Sequence, residues 1–222
     1  AELIFGNLLT SSNYDDEDER VTGGRNGYGA KLTNIFSKEF IIETRDMERR
    51  KNFKQVYRKN MSIREEPTIT SADAKDKPFT RITFIPDFSK FKINEINDDF
   101  YYLLVKRVYD IAGVTPKSLK VYLNEQKIKI DDFRSYVQLY VDSTLPDNVV
   151  SSSSEDESDE ASLNSSIDSK NMEEKQKNSS VEILYCKPHA NWEVAMTLAD
   201  HQFQQVSFVN SICTSKGGTH VN

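Results

Sequence analysis

Val21-Thr-Gly-Gly-Arg-Asn-Gly-Tyr-Gly-Ala-Lys-Leu-Thr-Asn-Ile-Phe36 is the stretch on which the reading of this chain turns. Gly23, Gly24, Gly27 and Gly29 fall within seven positions and run straight into an apolar helical pattern, Leu32, Ile35 and Phe36. Glycine permits a left-handed backbone and lets main chain approach a ligand closely. A helix start offers unpaired N–H groups and the positive end of the helix dipole. Together they form an anion site suited to a polyphosphate, with Arg25 and Lys31 adding charge. Two familiar phosphate motifs fail. A Walker A loop places Lys directly after its last glycine, where this chain has Ala30, and no G-x-G-x-x-G fingerprint follows a strand. Pattern alone therefore leaves two readings, a glycine-rich anion loop or a structural turn.

Upstream lies Thr10-Ser-Ser-Asn-Tyr-Asp-Asp-Glu-Asp-Glu-Arg20. The hydroxyl and amide side chains of Ser11, Ser12 and Asn13 suit a ribose or a phosphate. The acidic run behind them reads as a solvated loop. A polar loop that leads into a glycine-rich grip has the form of a closing lid.

Downstream, Phe40-Ile-Ile-Glu-Thr44, Phe53-Lys-Gln-Val-Tyr57 and Arg81-Ile-Thr-Phe-Ile85 are short runs rich in branched and aromatic residues, and they predict strands. Pro86 closes the third. From Asn94 to Ala112 the spacing turns helical, with Ile96, Phe100, Leu103, Leu104, Val108 and Ile111 on one face, Asn94 as N-cap and Gly113 as the stop. Leu119–Leu123 and Lys127–Ile130 flank Asn124-Glu-Gln126 as a hairpin. Val181–Tyr185 and Trp192–Leu198 read as strands, with Trp192, Val194 and Met196 alternating into a core. The sum is an α+β or layered α/β sandwich.

Hydrophobic residues make up 37% and charged residues 29%, which is ordinary for a globular protein. No stretch approaches the ~20 apolar residues of a membrane helix, so no membrane partner is expected. The chain opens on Ala1 and enters an apolar pattern at once, Leu3-Ile-Phe5, which reads as a fragment beginning inside a domain. The net charge of −6 is uneven, because Asp15–Glu19 and Glu155–Glu160 hold five carboxylates each and the remainder carries about +4. Residues 151–180 are almost without large apolar side chains, so disorder is expected across an insertion of about 145–180. Its serines at 151–160 precede acids, as in sites for an acid-directed kinase. A tolerated loop with no specific task fits the same composition. Cys186 and Cys213 are too few for a disulfide scaffold. Cys186, His189 and His201 contain a C-x-x-H step but no fourth ligand at zinc spacing, so no metal site is expected.

Five stretches in this order carry a family resemblance. They are Leu8–Asp16 with Val21–Lys31, Ile82-Thr-Phe-Ile-Pro-Asp-Phe-Ser-Lys-Phe91, Tyr109-Asp-Ile-Ala-Gly113, Phe133-Arg-Ser-Tyr-Val137 and Ser207–Val221. Taken together they resemble the ATP-lid and transducer regions of eukaryotic-type type II DNA topoisomerases, which are GHKL ATPases. The resemblance spans nearly everything except the acidic insertion and the loop from Met61 to Lys77.

The resemblance implies that residues 1–132 are the C-terminal part of a GHKL ATP-binding domain, with its lid at 10–31, and that residues 133–222 begin a transducer. Ser11, Ser12 and Asn13 would contact ribose and phosphates. Gly24, Arg25, Asn26, Gly27, Tyr28, Gly29, Ala30 and Lys31 would wrap the triphosphate, with the N–H groups of Gly27, Gly29 and Ala30 as donors, and Thr83 would sit near the adenine. The family's general-base Glu, Mg²⁺-binding Asn and adenine-binding Asp lie ahead of this stretch. Its γ-phosphate-sensing Lys and DNA-cleaving Tyr lie beyond it. The implied parent uses ATP and Mg²⁺, acts on double-stranded DNA in the nucleus, and closes an N-terminal gate as a homodimer. The fragment alone is expected to be inactive. Two rivals stay open: another GHKL protein, or a non-catalytic interaction protein organised around the acidic segment.

Overall fold

The computed structural model describes the chain except at residues 16, 18–21, 145–180, 199–201 and 222. The expected insertion, with its disorder and its serines, falls outside the described residues, as does His201. The chain forms two compact units, 1–102 and 103–222. In chain order the elements are α1 (Glu2–Gly6), α2 (Tyr28–Ile35), β1 (Ser37–Asp46), β2 (Lys51–Arg58), β3 (Ile63–Arg64), β4 (Thr68–Ser71), β5 (Phe79–Pro86), α3 (Asp98–Val114), β6 (Tyr122–Leu123), β7 (Gln126–Lys127), α4 (Phe133–Thr144), β8 (Leu184–His189), β9 (Trp192–Met196), β10 (Phe208–Val209) and β11 (Ile212–Cys213).

In the first unit the alternation of branched and aromatic residues does what its period requires. β1 pairs antiparallel with β2, Phe40 opposite Tyr57 and Ile42 opposite Gln55, and on its other side with β5, Phe40 opposite Phe84. β3 and β4 both add to the far edge of β2, giving five antiparallel strands. The strands expected around 40–44, 53–57 and 81–85 are all present, and Pro86 ends β5. Phe40, Ile42 and Tyr57 are fully buried, and Phe5 of α1, Phe53 and Met61 pack on them. Gln55, also buried, accepts from the Tyr57 hydroxyl at 3.1 Å and donates to Glu2 at 2.9 Å and to the Glu65 carbonyl at 3.2 Å. A buried amide placed this way leaves little desolvation unpaid. β5 forms the sheet edge, and Ile82, Phe84 and Ile85 are exposed there.

From α3 onward the structure corrects four expectations. α3 starts at Asp98, and its cap is Asn97, whose side chain accepts the Phe100 N–H at 2.9 Å. Asn94 lies outside it. Asp98 and Asp99 occupy the first turn, where the helix dipole favours them. Gly113 does not stop this helix but sits inside it, for a packing reason described below. The apolar face predicted for α3 is largely exposed, with Phe100, Leu103, Leu104 and Ile111 open, while Asp110, Ala112 and Gly113 are buried. Trp192 is likewise no core residue: it is 58% exposed and Met196 60%, because β8 and β9 form a two-stranded ribbon with one partner each. The hairpin of β6 and β7 is as expected but tighter. Asn124 (φ 48°) and Glu125 (φ 69°) make a two-residue turn, the left-handed pair that suits strand twist. Among the described residues no helix is long and apolar enough to cross a membrane.

Candidate nucleotide-binding loop

Gly27 caps α2 from the left-handed region, φ 65° and ψ 27°, with no side chain supplying a cap bond. The first-turn N–H groups of α2 therefore open at the end of the glycine loop without the usual Ser, Thr or Asp in front of them. A side chain at Gly27 would be strained by φ and would meet the Thr10 carbonyl at 2.9 Å and Lys31 Nζ at 3.2 Å. Gly24, with φ 94°, and Gly29 differ: a Cβ on either would meet nothing within 4 Å. The loop is thus tight behind Gly27 and open in front of Gly24 and Gly29, the shape of a cradle for an external group.

The two ends of the loop are tied together. The Asn13 side chain donates to the Gly24 carbonyl at 2.9 Å, and the Asn13 N–H donates to Ser11 Oγ at 3.1 Å. Ser12 Oγ donates to Asn13 Oδ1 at 3.4 Å. This places Ser11, Ser12 and Asn13 beside Gly24, so residues eleven or more positions apart meet at one mouth. Arg25, Asn26, Tyr28 and Gly29 are exposed along it. Thr83 is not in the loop: it lies mid-strand in β5, opposite Ile41, and is exposed on the sheet.

The buried face of α2 departs from the reading of its sequence. Leu32, expected inside, is 46% exposed, while Lys31 and Asn34 are 1% and 0% exposed. Lys31 Nζ donates to the Thr10 carbonyl at 3.2 Å, and Asn34 Nδ2 donates to the Phe5 carbonyl at 3.2 Å. The cause is the neighbour. Phe5 in α1 and Thr10, four residues past its end, turn main-chain acceptors toward α2, and a buried carbonyl needs a donor more than it needs a leucine. Lys31 therefore reaches a phosphate only by exchanging the Thr10 carbonyl for it. Thr10 as acceptor and Asn34 as staple were missed in the sequence. The available signal was two polar residues three apart on a short helix whose apolar positions could not all face inward.

The uncapped N-terminus of α2, the open space at Gly24 and Gly29, and the hydroxyl and amide side chains at the same mouth suit a polyphosphate with a sugar attached. Among the described residues no group of three His, Cys, Asp or Glu side chains could hold a metal ion.

A family model described as DNA gyrase B matches residues 132–222. DNA topoisomerase 2 of Arabidopsis thaliana is 48% identical over 221 residues, 100% of this chain and 13% of the relative. DNA topoisomerase 2-alpha of Homo sapiens is 44% identical over 220 residues, 99% of this chain and 12% of the relative. The crystal structure of the ATPase region of Saccharomyces cerevisiae topoisomerase II superposes with a TM-score of 0.77 at 44% identity, covering 100% of this chain and 49% of that one. The chain thus spans about an eighth of the length of the curated relatives, as the 13% and 12% coverage shows.

Proposed function

This chain belongs to the type II DNA topoisomerase family, and we propose that it is the ATP-lid and early transducer portion of an enzyme that passes one DNA duplex through a transient double-strand break in another. The observation that carries the reading is the glycine loop itself: an uncapped helix start behind a left-handed Gly27, with Gly24 and Gly29 facing open space. ATP, when bound, supplies a polyphosphate anion and the free energy of its hydrolysis.

In this reading the N–H groups of Gly27, Gly29 and Ala30 would hold the phosphates, and the dipole of α2 would favour their charge. Arg25 adds a cation at the exposed rim. Ser11, Ser12 and Asn13 hold ribose and phosphate from the other lip, kept there by the bond from Asn13 to Gly24. Lys31 orders the loop from behind through Thr10, and Thr83 contributes from the sheet on the adenine side. These scattered donors would share a phosphate as common acceptor, which would order the lid around it. The family-model match from residue 132 supports a transducer beginning at about residue 133, after an ATP-binding domain that ends near 132. Mg²⁺ would be held by residues outside this chain. The parent works on double-stranded DNA in the nucleus and closes its N-terminal gate as a homodimer.

The test is ATP hydrolysis by the full-length protein with and without duplex DNA. DNA should raise the rate severalfold. A full-length protein that turns over no ATP under either condition would leave the loop a structural turn and sink the proposal.

A further inference from the structure

Tyr136 sits at the meeting point of three stretches that lie far apart in the chain. Its hydroxyl donates to Asp110 Oδ1 of α3 at 2.6 Å, and both residues are buried, 2% and 3% exposed. The Tyr140 hydroxyl lies 2.9 Å away, and since the Tyr136 proton is given to Asp110, Tyr140 is the donor of that pair. Lys106 completes the carboxylate, its Nζ 2.8 and 3.0 Å from the two oxygens of Asp110. Around the ring of Tyr136 stand Phe133 at 6.1 Å, Tyr140 at 5.5 Å and Phe208 of β10 at 5.7 Å between centroids. Arg107 donates to the Ser211 carbonyl at 3.1 Å, tying α3 to the turn between β10 and β11.

The ring also explains the glycine in α3. A Cβ at Gly113 would stand 2.6 Å from Tyr136 Cγ and 2.7 Å from Cδ2. So α4 approaches the backbone of α3 at Gly113, and one helical turn back its hydroxyl finds the carboxylate of Asp110. A purely apolar contact between two helices tolerates sliding. This one does not, because any other register leaves a buried carboxylate short of a donor and drives the ring into a residue with a side chain. Burial, and then the hydrogen bond to Asp110, hold the Tyr136 hydroxyl far above the ordinary phenol range, so it stays a donor at every working pH. Burial is the strongest single influence on Lys106 and works against its charge, but the hydrogen bond to Asp110 together with the attraction of Tyr140 and Asp110 outweighs it and raises the pKa.

We propose that Tyr136 is a positioning residue that keys α4 to α3 in a single register, and that stimulation of ATP hydrolysis by DNA depends on this key. The proposal rests on the topoisomerase reading above. α3 is one continuous helix whose first residues, 98–102, belong to the unit that carries the ATP lid, whereas Asp110 and Gly113 belong to the unit of Tyr136. A helix keyed in register passes on a displacement, and a helix free to slip absorbs it.

The experiment compares full-length wild type, Tyr136→Phe and Asp110→Asn. It measures the ATPase rate with and without duplex DNA, the KM for ATP, and amide hydrogen exchange of α3. Tyr136→Phe keeps the ring and removes the bond. The expected result is a basal rate and KM within about twofold of wild type, a loss of DNA stimulation of about fivefold or more, the low end of ordinary coupling between sites, and faster exchange in α3. Asp110→Asn still accepts from Tyr136 and should retain most of the stimulation. Unchanged stimulation in Tyr136→Phe overturns the inference. So does a fall of basal and stimulated rates in equal proportion, which marks a merely structural residue. A wild type without DNA-stimulated hydrolysis is a different outcome, since it removes the functional reading and the inference together.

Discussion

Gly29 and Gly113 are both helical glycines with no help from a turn, yet they are glycine for opposite reasons. At Gly113 the missing Cβ is filled by the ring of Tyr136, 2.6 Å from where the carbon would stand. At Gly29 the missing Cβ opens on space. A glycine in a helix costs roughly 0.5–1 kcal/mol relative to alanine. The second unit offsets that cost through packing that is visible in the fold. Among the described residues the first unit offers no such return, and in the proposed reading it comes from a ligand. The surroundings follow the same division. The joint at Gly113 is held by a buried carboxylate, two tyrosines and a lysine. The loop at Gly29 is held by bonds from side chains to main chain, an exposed one from Asn13 at its rim and a partly buried one from Lys31 behind it. Few buried contacts and exposed hydrogen bonds are what a segment that opens and closes requires.

The comparison can be broken hardest at the joint. Gly113→Val pushes two methyl groups and a Cβ into the Tyr136 ring, and overpacking of this kind costs about 3 kcal/mol. Amide exchange in α3 and α4 of the full-length protein should accelerate by roughly a hundredfold. An unchanged exchange rate would show that the ring has somewhere else to go and that the joint is not keyed.

A smaller effect is expected at the edge of the same joint. Asp132 caps α4, its carboxylate accepting the Ser135 N–H at 2.7 Å and bonding the Ser135 hydroxyl as well. Those two bonds, from the side chain and then from the backbone of Ser135, hold its pKa below the ordinary carboxylate value. A lowered folded-state value means that the cap contributes fully above about pH 4 and is lost as pH falls through the folded pKa. Asp132→Ala should cost about 1 kcal/mol, read as roughly fivefold faster exchange in the first turns of α4 at neutral pH, with the difference vanishing in acid. A difference that persists at low pH would mean the carboxylate charge is not what caps the helix.

Much of the fold was legible. Phe40, Ile42 and Tyr57 announce their strands because an antiparallel sheet with one covered face imposes period two on the sequence. The ends of α3 were less legible for a local reason. Asn94 and Asn97 are equally good caps in isolation, and the choice falls to Asp98 and Asp99 in the first turn. Gly113 looked like a stop because sequence shows the absence of a side chain and not the ring that takes its place. Trp192 was misjudged because strand periodicity reports that one face differs from the other, not that anything covers it. At the loop, the glycines and the helix start were readable. The inward turn of Lys31 was not, because it depends on carbonyls at Phe5 and Thr10 that periodicity does not register.

The most direct test lies at the other glycine. Gly29→Val puts a branched side chain into open space, and valine is no worse than glycine in a helix, so exchange in α2 and β1 of the full-length protein should stay within about twofold of wild type. ATP affinity, measured by equilibrium binding, should nonetheless fall by at least about tenfold, as expected when phosphate can no longer reach one or two backbone donors. Wild-type affinity in a normally folded Gly29→Val protein would contradict the account, because the space in front of Gly29 would then be empty for no ligand's sake.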